Sequence, residues 1–143
     1  MHKKILYIDM DDTLCDFTAS YKEKKTSKIC HPQSQYGFFK NLKPIEGAID
    51  AYNELDLIYD VWILSRPSVH NPLCYTEKRV WVEEHLGFER CRKLILSPNK
   101  ALLKGDFLID DYDHPGFEGE LIKFGSKKYP DWYVVLDYLK QSK

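Results

Sequence analysis

Asp9, Asp11 and Asp12 crowd into four positions directly behind the apolar run Ile5-Leu6-Tyr7-Ile8. With Lys4 that run has the length of a buried strand, and polar residues precede it. The carboxylates cannot continue a sheet core, because each buried charge would need a partner or a metal. At the carboxyl end of a strand in an open α/β sheet they would face the crevice where such folds bind ligands. The competing reading is an acidic loop in which Asp12 or Asp9 caps the next helix. Three further stretches, each ending an apolar run with a polar group, favour the crevice.

The regular pattern of those stretches begins after residue 43. Ile45, Ala48, Ile49, Tyr52 and Leu55 recur at three- and four-residue intervals, so a helix is expected from near Pro44. A strand over Tyr59 to Leu64 should stop at Ser65-Arg66-Pro67, since proline disfavours further strand. A helix from Tyr75 to Leu86 ends at Gly87, with Trp81, Val82 and His85 on or beside its buried face. Arg92 to Leu96 is a third strand, leading into Ser97-Pro98-Asn99-Lys100, where Asn99 suits a helix cap. Phe107-Leu108-Ile109 ends in Asp110-Asp111, Leu121 to Phe124 reads as a last strand, and Pro130 to Leu139 as a last helix. Alternating strands and helices at this spacing predict an α/β fold. It is a Rossmann-like three-layer sandwich with a mostly parallel sheet covered on both faces.

Residues 14–43 interrupt that pattern. Leu14, Phe17 and Tyr21 share a helical face, four lysines crowd between Lys22 and Lys28, and His31-Pro32 breaks the element. The lysine run reads best as a solvated helix face, with attraction of an anionic substrate as the alternative. Tyr36-Gly37-Phe38-Phe39 sets three aromatics around a glycine, suited to plain core or to a flat ring beside a charged site. We read 14–43 as a short helical cap inserted in a single domain spanning 1–143.

Charge and cysteine usage narrow the function. A net charge of −1 on 143 residues argues against nucleic-acid binding through bulk charge. No apolar run approaches membrane-spanning length, and the apolar stretch near the start is too short for a secretory signal, so a cytoplasmic location is expected. Cys15, Cys30, Cys74 and Cys91 are widely spaced, which suits free thiols better than disulfides or a zinc site.

Parallel strands would bring Asp9/Asp11, Ser65/Arg66, Lys100 and Asp110/Asp111 to one edge of the sheet. Carboxylates from two strands make an oxygen-rich site suited to Mg²⁺, which shares its shell with water and substrate phosphate. Lys100 and the Ser65 hydroxyl would hold phosphoryl oxygens, leaving a carboxylate free to attack. That constellation points to phosphoryl transfer. Lys78 is a rival phosphate lysine, but it falls inside a helix whose pattern accounts for it as a surface residue.

At these positions the chain resembles the haloacid-dehalogenase-type phosphatases, whose first motif Asp-x-Asp-x-Thr it matches from Asp9 to Thr13. Within them it is most similar to the 5'(3')-deoxyribonucleotidases. The likeness runs through Asp16-Phe17, Gly37-Phe38-Phe39, Leu42-x-Pro44-Ile45-x-Gly47-Ala48, Tyr75-x-Glu77-Lys78-x-x-Trp81-Val82, Asn99-Lys100, Leu108 to Asp111 and Pro130-Asp131-Trp132. The resemblance implies Asp9 as nucleophile and Asp11 as acid and base. It implies Mg²⁺ held by Asp9, Asp111 and the Asp11 main-chain carbonyl, with Asp110 behind them. Ser65 and Lys100 would bind the phosphoryl group, Arg66 would contact phosphate or the acidic cluster, and Phe17, Phe38 and Phe39 would line a nucleoside pocket. The expected substrate is a small phosphomonoester, a nucleotide first; another phosphoester or a nucleic-acid end is the alternative. A binding protein on a retired enzyme fold fits least, since every catalytic position is filled. Asp12 stands where the nucleotidases more often have glycine, and the cap is shorter than in the animal enzymes. A homodimer through the cap is left open by the sequence.

Overall fold

Strands and helices alternate along residues 2–143, which the computed structural model describes. The strands are β1 (Ile5–Ile8), β2 (Asp60–Ser65), β3 (Leu94–Leu96), β4 (Phe107–Asp110) and β5 (Glu120–Lys123). The helices are α1 (Phe17–Lys24), α2 (Ala48–Asp56), α3 (Cys74–Leu86) and α4 (Trp132–Gln141). All strand pairs are parallel, in the order β3-β2-β1-β4-β5. β1 is therefore central, with Ile8 beside Ile63 on one side and Ile109 on the other. The chain builds outward from β1 in one direction and then crosses back to build in the other. The strand ends at that reversal are where folds of this kind place a ligand.

Alternation along the strands sorts the core into two clusters. Leu6, Ile8, Val61, Ile63 and Ile109 pack with Tyr52 and Leu55 of α2, Trp81 and Val82 of α3, and Trp132, Val135 and Leu139 of α4. Tyr7, Leu64 and Leu108 form the smaller cluster with Phe117, against which Leu103 and Leu121 rest. The layer on this second side is thin, because β3 and β4 are joined through a single 3-10 turn (Lys100–Leu102).

Helix starts differ from the sequence expectation for local reasons. α2 begins at Ala48, because Gly47 takes a left-handed conformation (φ +79°) that breaks continuity with Pro44. α4 begins at Trp132, after Asp131 accepts a hydrogen bond from the Val134 amide. Leu14 is not helical; α1 starts at Phe17 behind the cap Asp16, which accepts from the Ala19 amide. Bridges from Cys15 to Asp11 and to Pro44 tie the two ends of the inserted segment together. The lysines of that segment, Lys22, Lys24, Lys25 and Lys28, are all exposed. No helix among the described residues is long and apolar enough to cross a membrane.

Candidate active site

Main-chain hydrogen bonding separates the two aspartates at the end of β1. The Asp9 amide still donates to Ile109 in β4 at 2.9 Å, so Asp9 belongs to the rigid sheet. The next carbonyl, Met10, accepts from the amides of Thr13, Leu14 and Cys15 at 3.1, 2.8 and 3.0 Å. Such a tight turn demands a left-handed residue, and Asp12 supplies it at φ +58°. This explains why glycine suits the position in the resembling nucleotidases. Asp12 also accepts from the Thr18 amide and hydroxyl at 2.8 and 2.6 Å, so it does secure the first turn of α1. The helix cap itself is Asp16, neither Asp9 nor Asp12 as the sequence had offered, and Asp12 braces the turn at Thr18, one residue further in.

Asp9 is buried, and Lys100 Nζ lies 2.7 Å from its Oδ1 and 2.6 Å from Asp110 Oδ2. Burial pushes the Asp9 carboxyl well up; Lys100 opposes this, while Asp110 and Asp11 reinforce it. Asp110 has both oxygens engaged, since Oδ1 accepts from the Tyr112 amide at 3.0 Å. Asp111 differs: its Oδ1 is buried without a hydrogen-bond partner. Burial, partly offset by contact with Asp9, pushes the Asp111 carboxyl up to about 6. Ligand atoms of Asp9, Asp110 and Asp111 lie within 4.8 Å of one another. Oxygen donors from two strands, one of them unpartnered, fit a hard divalent cation.

A cavity of about 470 Å³ opens over this cluster, lined by Asp9, Asp11, Arg66, Lys100 and the β4 loop from Asp110 to His114. Ser65 is buried at the end of β2 and does not line it.

Lys78 is a correction. It is not a surface residue: it is 1% exposed, with Nζ 3.0 Å from Asp11 Oδ2 and 2.6 Å from Ser65 Oγ. Burial, the largest single influence, pushes this ammonium down, but Asp11 together with Cys15, Cys74 and Asp9 outweighs it and the pKa is raised. Helical spacing carried the signal, since Lys78 lies four residues from Cys74 and three and four from Trp81 and Val82, all buried. Glu77 was equally missed as a structural anchor. Also buried, it accepts from the amides of Gly37, Phe39 and Lys40 at 2.7, 3.0 and 3.3 Å and so fastens the cap to α3.

Phe38 and Phe39 are each 2% exposed, belong to the main core and do not line the cavity. Phe17 packs against both, with ring centres 5.3 and 6.1 Å away. The rings stay near the chemistry through Lys78, whose Nζ is 5.0 Å from the Phe39 ring centre. The cavity wall instead carries three residues that the sequence reading passed over, Tyr112, Asp113 and His114. His114 Nε2 comes within 2.8 Å of Asp110 Oδ2 without the alignment of a hydrogen bond. All three follow the second acidic pair in a loop, where no periodicity marks them.

A parallel sheet with Asp-x-Asp-x-Thr closing its central strand, a lysine behind β3 and an acidic pair closing β4 defines the haloacid-dehalogenase type of phosphatase. Within that class the chain belongs to the 5'(3')-deoxyribonucleotidase family of hydrolases. The family model described as "5' nucleotidase, deoxy (Pyrimidine), cytosolic type C protein" matches residues 20–128. A Vibrio phage KVP40 protein carrying the 5'(3')-deoxyribonucleotidase name is 40% identical over 144 residues, covering 96% of this chain and 85% of its own length. The human cytosolic-type 5'(3')-deoxyribonucleotidase is 37% identical over 111 residues, 76% of this chain and 51% of the human one. The Bacillus subtilis 5'(3')-deoxyribonucleotidase is 29% identical over 147 residues, with 85% of both chains covered.

Proposed function

We propose that the protein hydrolyses nucleoside monophosphates, deoxyribonucleotides first, with Mg²⁺ and through an aspartyl-phosphate on Asp9. The observation that carries this reading is the environment of Asp9: rigid in the sheet, against Lys100, beside the unpartnered Asp111 oxygen and at the floor of the cavity. Asp9 and Asp111 would hold the metal with the Asp11 carbonyl, while Asp110 keeps Lys100 in place through its own ion pair. Bound there, Mg²⁺ supplies positive charge against the phosphoryl oxygens as they gain electron density.

An Asp9 oxygen attacks phosphorus and the bond to the nucleoside oxygen breaks, its electron pair leaving with that oxygen. Asp11 donates the proton that the leaving oxygen needs. Asp11 then takes a proton from water as the water oxygen bonds to phosphorus, and the Asp9–phosphorus bond breaks back to a carboxylate. Lys100 and Arg66 provide charge for the phosphoryl group, and Ser65 a hydroxyl donor.

A second reading, another small phosphoester or a nucleic-acid end, draws on the burial of Phe38 and Phe39 away from the cavity. Rates with Mg²⁺ across deoxynucleotide, ribonucleotide and sugar monophosphates decide between the two. Phosphoenzyme trapping with peptide mass analysis tests the chemistry. Phosphate on Asp9 that is lost in Asp9→Asn supports it; phosphate on Asp11, or an undiminished yield in Asp9→Asn, overturns it.

A further inference from the structure

Lys78 is a buried cation that these steps leave unused. Its ammonium bridges two groups from different strands, the Asp11 carboxylate behind β1 and the Ser65 hydroxyl closing β2. Lysine only donates hydrogen bonds, so Ser65 Oγ must accept from it. The single Ser65 O–H is thereby left for another acceptor, as a phosphoryl-binding hydroxyl requires. The same ammonium fixes one oxygen of Asp11. The other, Oδ1, meets only the Cys15 thiol at 4.0 Å, a distant and weak donor. One carboxylate oxygen is anchored and the other is available for proton transfer. The Phe39 ring lies 5.0 Å from Nζ, and the shaft of Lys78 is enclosed in the core, so the ammonium has little freedom to leave Asp11.

We propose that Lys78 is the positioning residue for the second half of the reaction, holding Asp11 as an oriented carboxylate that takes the proton from water. This rests on the aspartyl-phosphate reading above. In that half, water oxygen bonds to phosphorus, its proton passes to Asp11, and the Asp9–phosphorus bond breaks with its electron pair returning to Asp9. Formation of the intermediate from an activated aryl phosphate needs little protonation of the leaving group and should depend on Lys78 much less.

The test follows both half-reactions in Lys78→Met with 4-nitrophenyl phosphate and Mg²⁺. Nitrophenolate release in rapid mixing reports formation, and acid-quenched phosphoenzyme after substrate is exhausted reports decay. Decay should slow about a hundredfold, the lower range for loss of positioned proton transfer, while formation slows less than about tenfold. Lys78→Gln, which keeps a donor for Ser65 but no charge for Asp11, should show the same split and serves where methionine prevents folding. Equal slowing of both steps would make Lys78 merely structural and overturn the proposal. A raised KM with unchanged decay would do so in favour of direct phosphate binding. Absence of any wild-type phosphoenzyme overturns the aspartyl-phosphate reading and this role with it. A normal wild-type intermediate with unchanged decay in the variants overturns the role of Lys78 alone.

Discussion

The indole nitrogen of Trp132 donates to the main-chain carbonyl of Thr13 at 2.7 Å, across 119 residues of sequence. The last helix is thereby fastened to the turn that carries Asp9 and Asp11. Trp81 does the same for the end of the cap, donating to the Leu42 carbonyl at 2.8 Å. Trp132 thus holds the turn behind β1, and Trp81 the far end of the inserted segment.

Trp132→Phe removes that donor and leaves a buried carbonyl without a partner. The expected loss is about 1–3 kcal/mol for the unsatisfied group, plus the smaller ring's lost packing. Urea denaturation measures it. Turnover should also fall at temperatures well below the transition, because the turn that carries the proposed nucleophile loses its anchor. A stability change with turnover intact would confine Trp132 to the core.

Asp12 combines a strained backbone with a useful side chain. Its left-handed conformation costs a non-glycine residue about 1–2 kcal/mol, set against its two hydrogen bonds to Thr18. Asp12→Ala keeps the strain and loses the bonds; Asp12→Gly loses both together. Alanine should therefore destabilise by about 1 kcal/mol more than glycine, read from paired denaturation curves. Equal effects would show that the turn does not impose the conformation.

The sheet and its acidic edge were legible because they rest on local rules. Apolar runs of strand length ended in charges, and parallel strands force such ends together, as the ion pairs of Lys100 with Asp9 and Asp110 demonstrate. Lys78 differs from the surface expectation for another reason. The helix pattern is read as leaving it on the solvent side, whereas its spacing from Cys74, Trp81 and Val82 puts it inside. A buried charge becomes tolerable only when partners arrive from elsewhere in the chain, and Asp11 lies 67 residues away from Lys78. The Phe38-Phe39 pair shows the converse: an aromatic cluster beside a site is first of all packing. Tyr112 and His114 lie in a loop, whose conformation no hydrophobic period encodes.

Clustered carboxylates repel one another, and a divalent cation relieves that repulsion in the folded state alone. Mg²⁺ should therefore raise the melting temperature, by the equivalent of about 2.7 kcal/mol at a hundredfold excess over Kd. Asp111→Asn, which alters the oxygen left unpartnered in the cluster, should greatly weaken this effect while preserving the fold. Calorimetric titration of Mg²⁺ into both proteins checks it. Equal binding by wild type and variant would remove Asp111 from the ligand set.

Specificity separates the cap rings from the β4 loop. Phe39 is buried in the core, so Phe39→Ala should cost roughly 3–5 kcal/mol of stability. If its ring does no more than pack, kcat/KM should fall alike for a nucleoside monophosphate and a small aryl phosphate. Tyr112 is 71% exposed and lines the cavity, with its backbone pinned by the bond from its amide to Asp110. Truncating so exposed a ring should change stability by no more than about 0.5 kcal/mol. Under the proposed function a nucleoside seated in this cavity would meet that ring, and base–aromatic stacking is worth about 1–3 kcal/mol. Tyr112→Ala should therefore lower kcat/KM for the nucleoside monophosphate by about tenfold while sparing the aryl phosphate. The reverse result, selective loss in Phe39→Ala and none in Tyr112→Ala, would return the nucleoside to the cap.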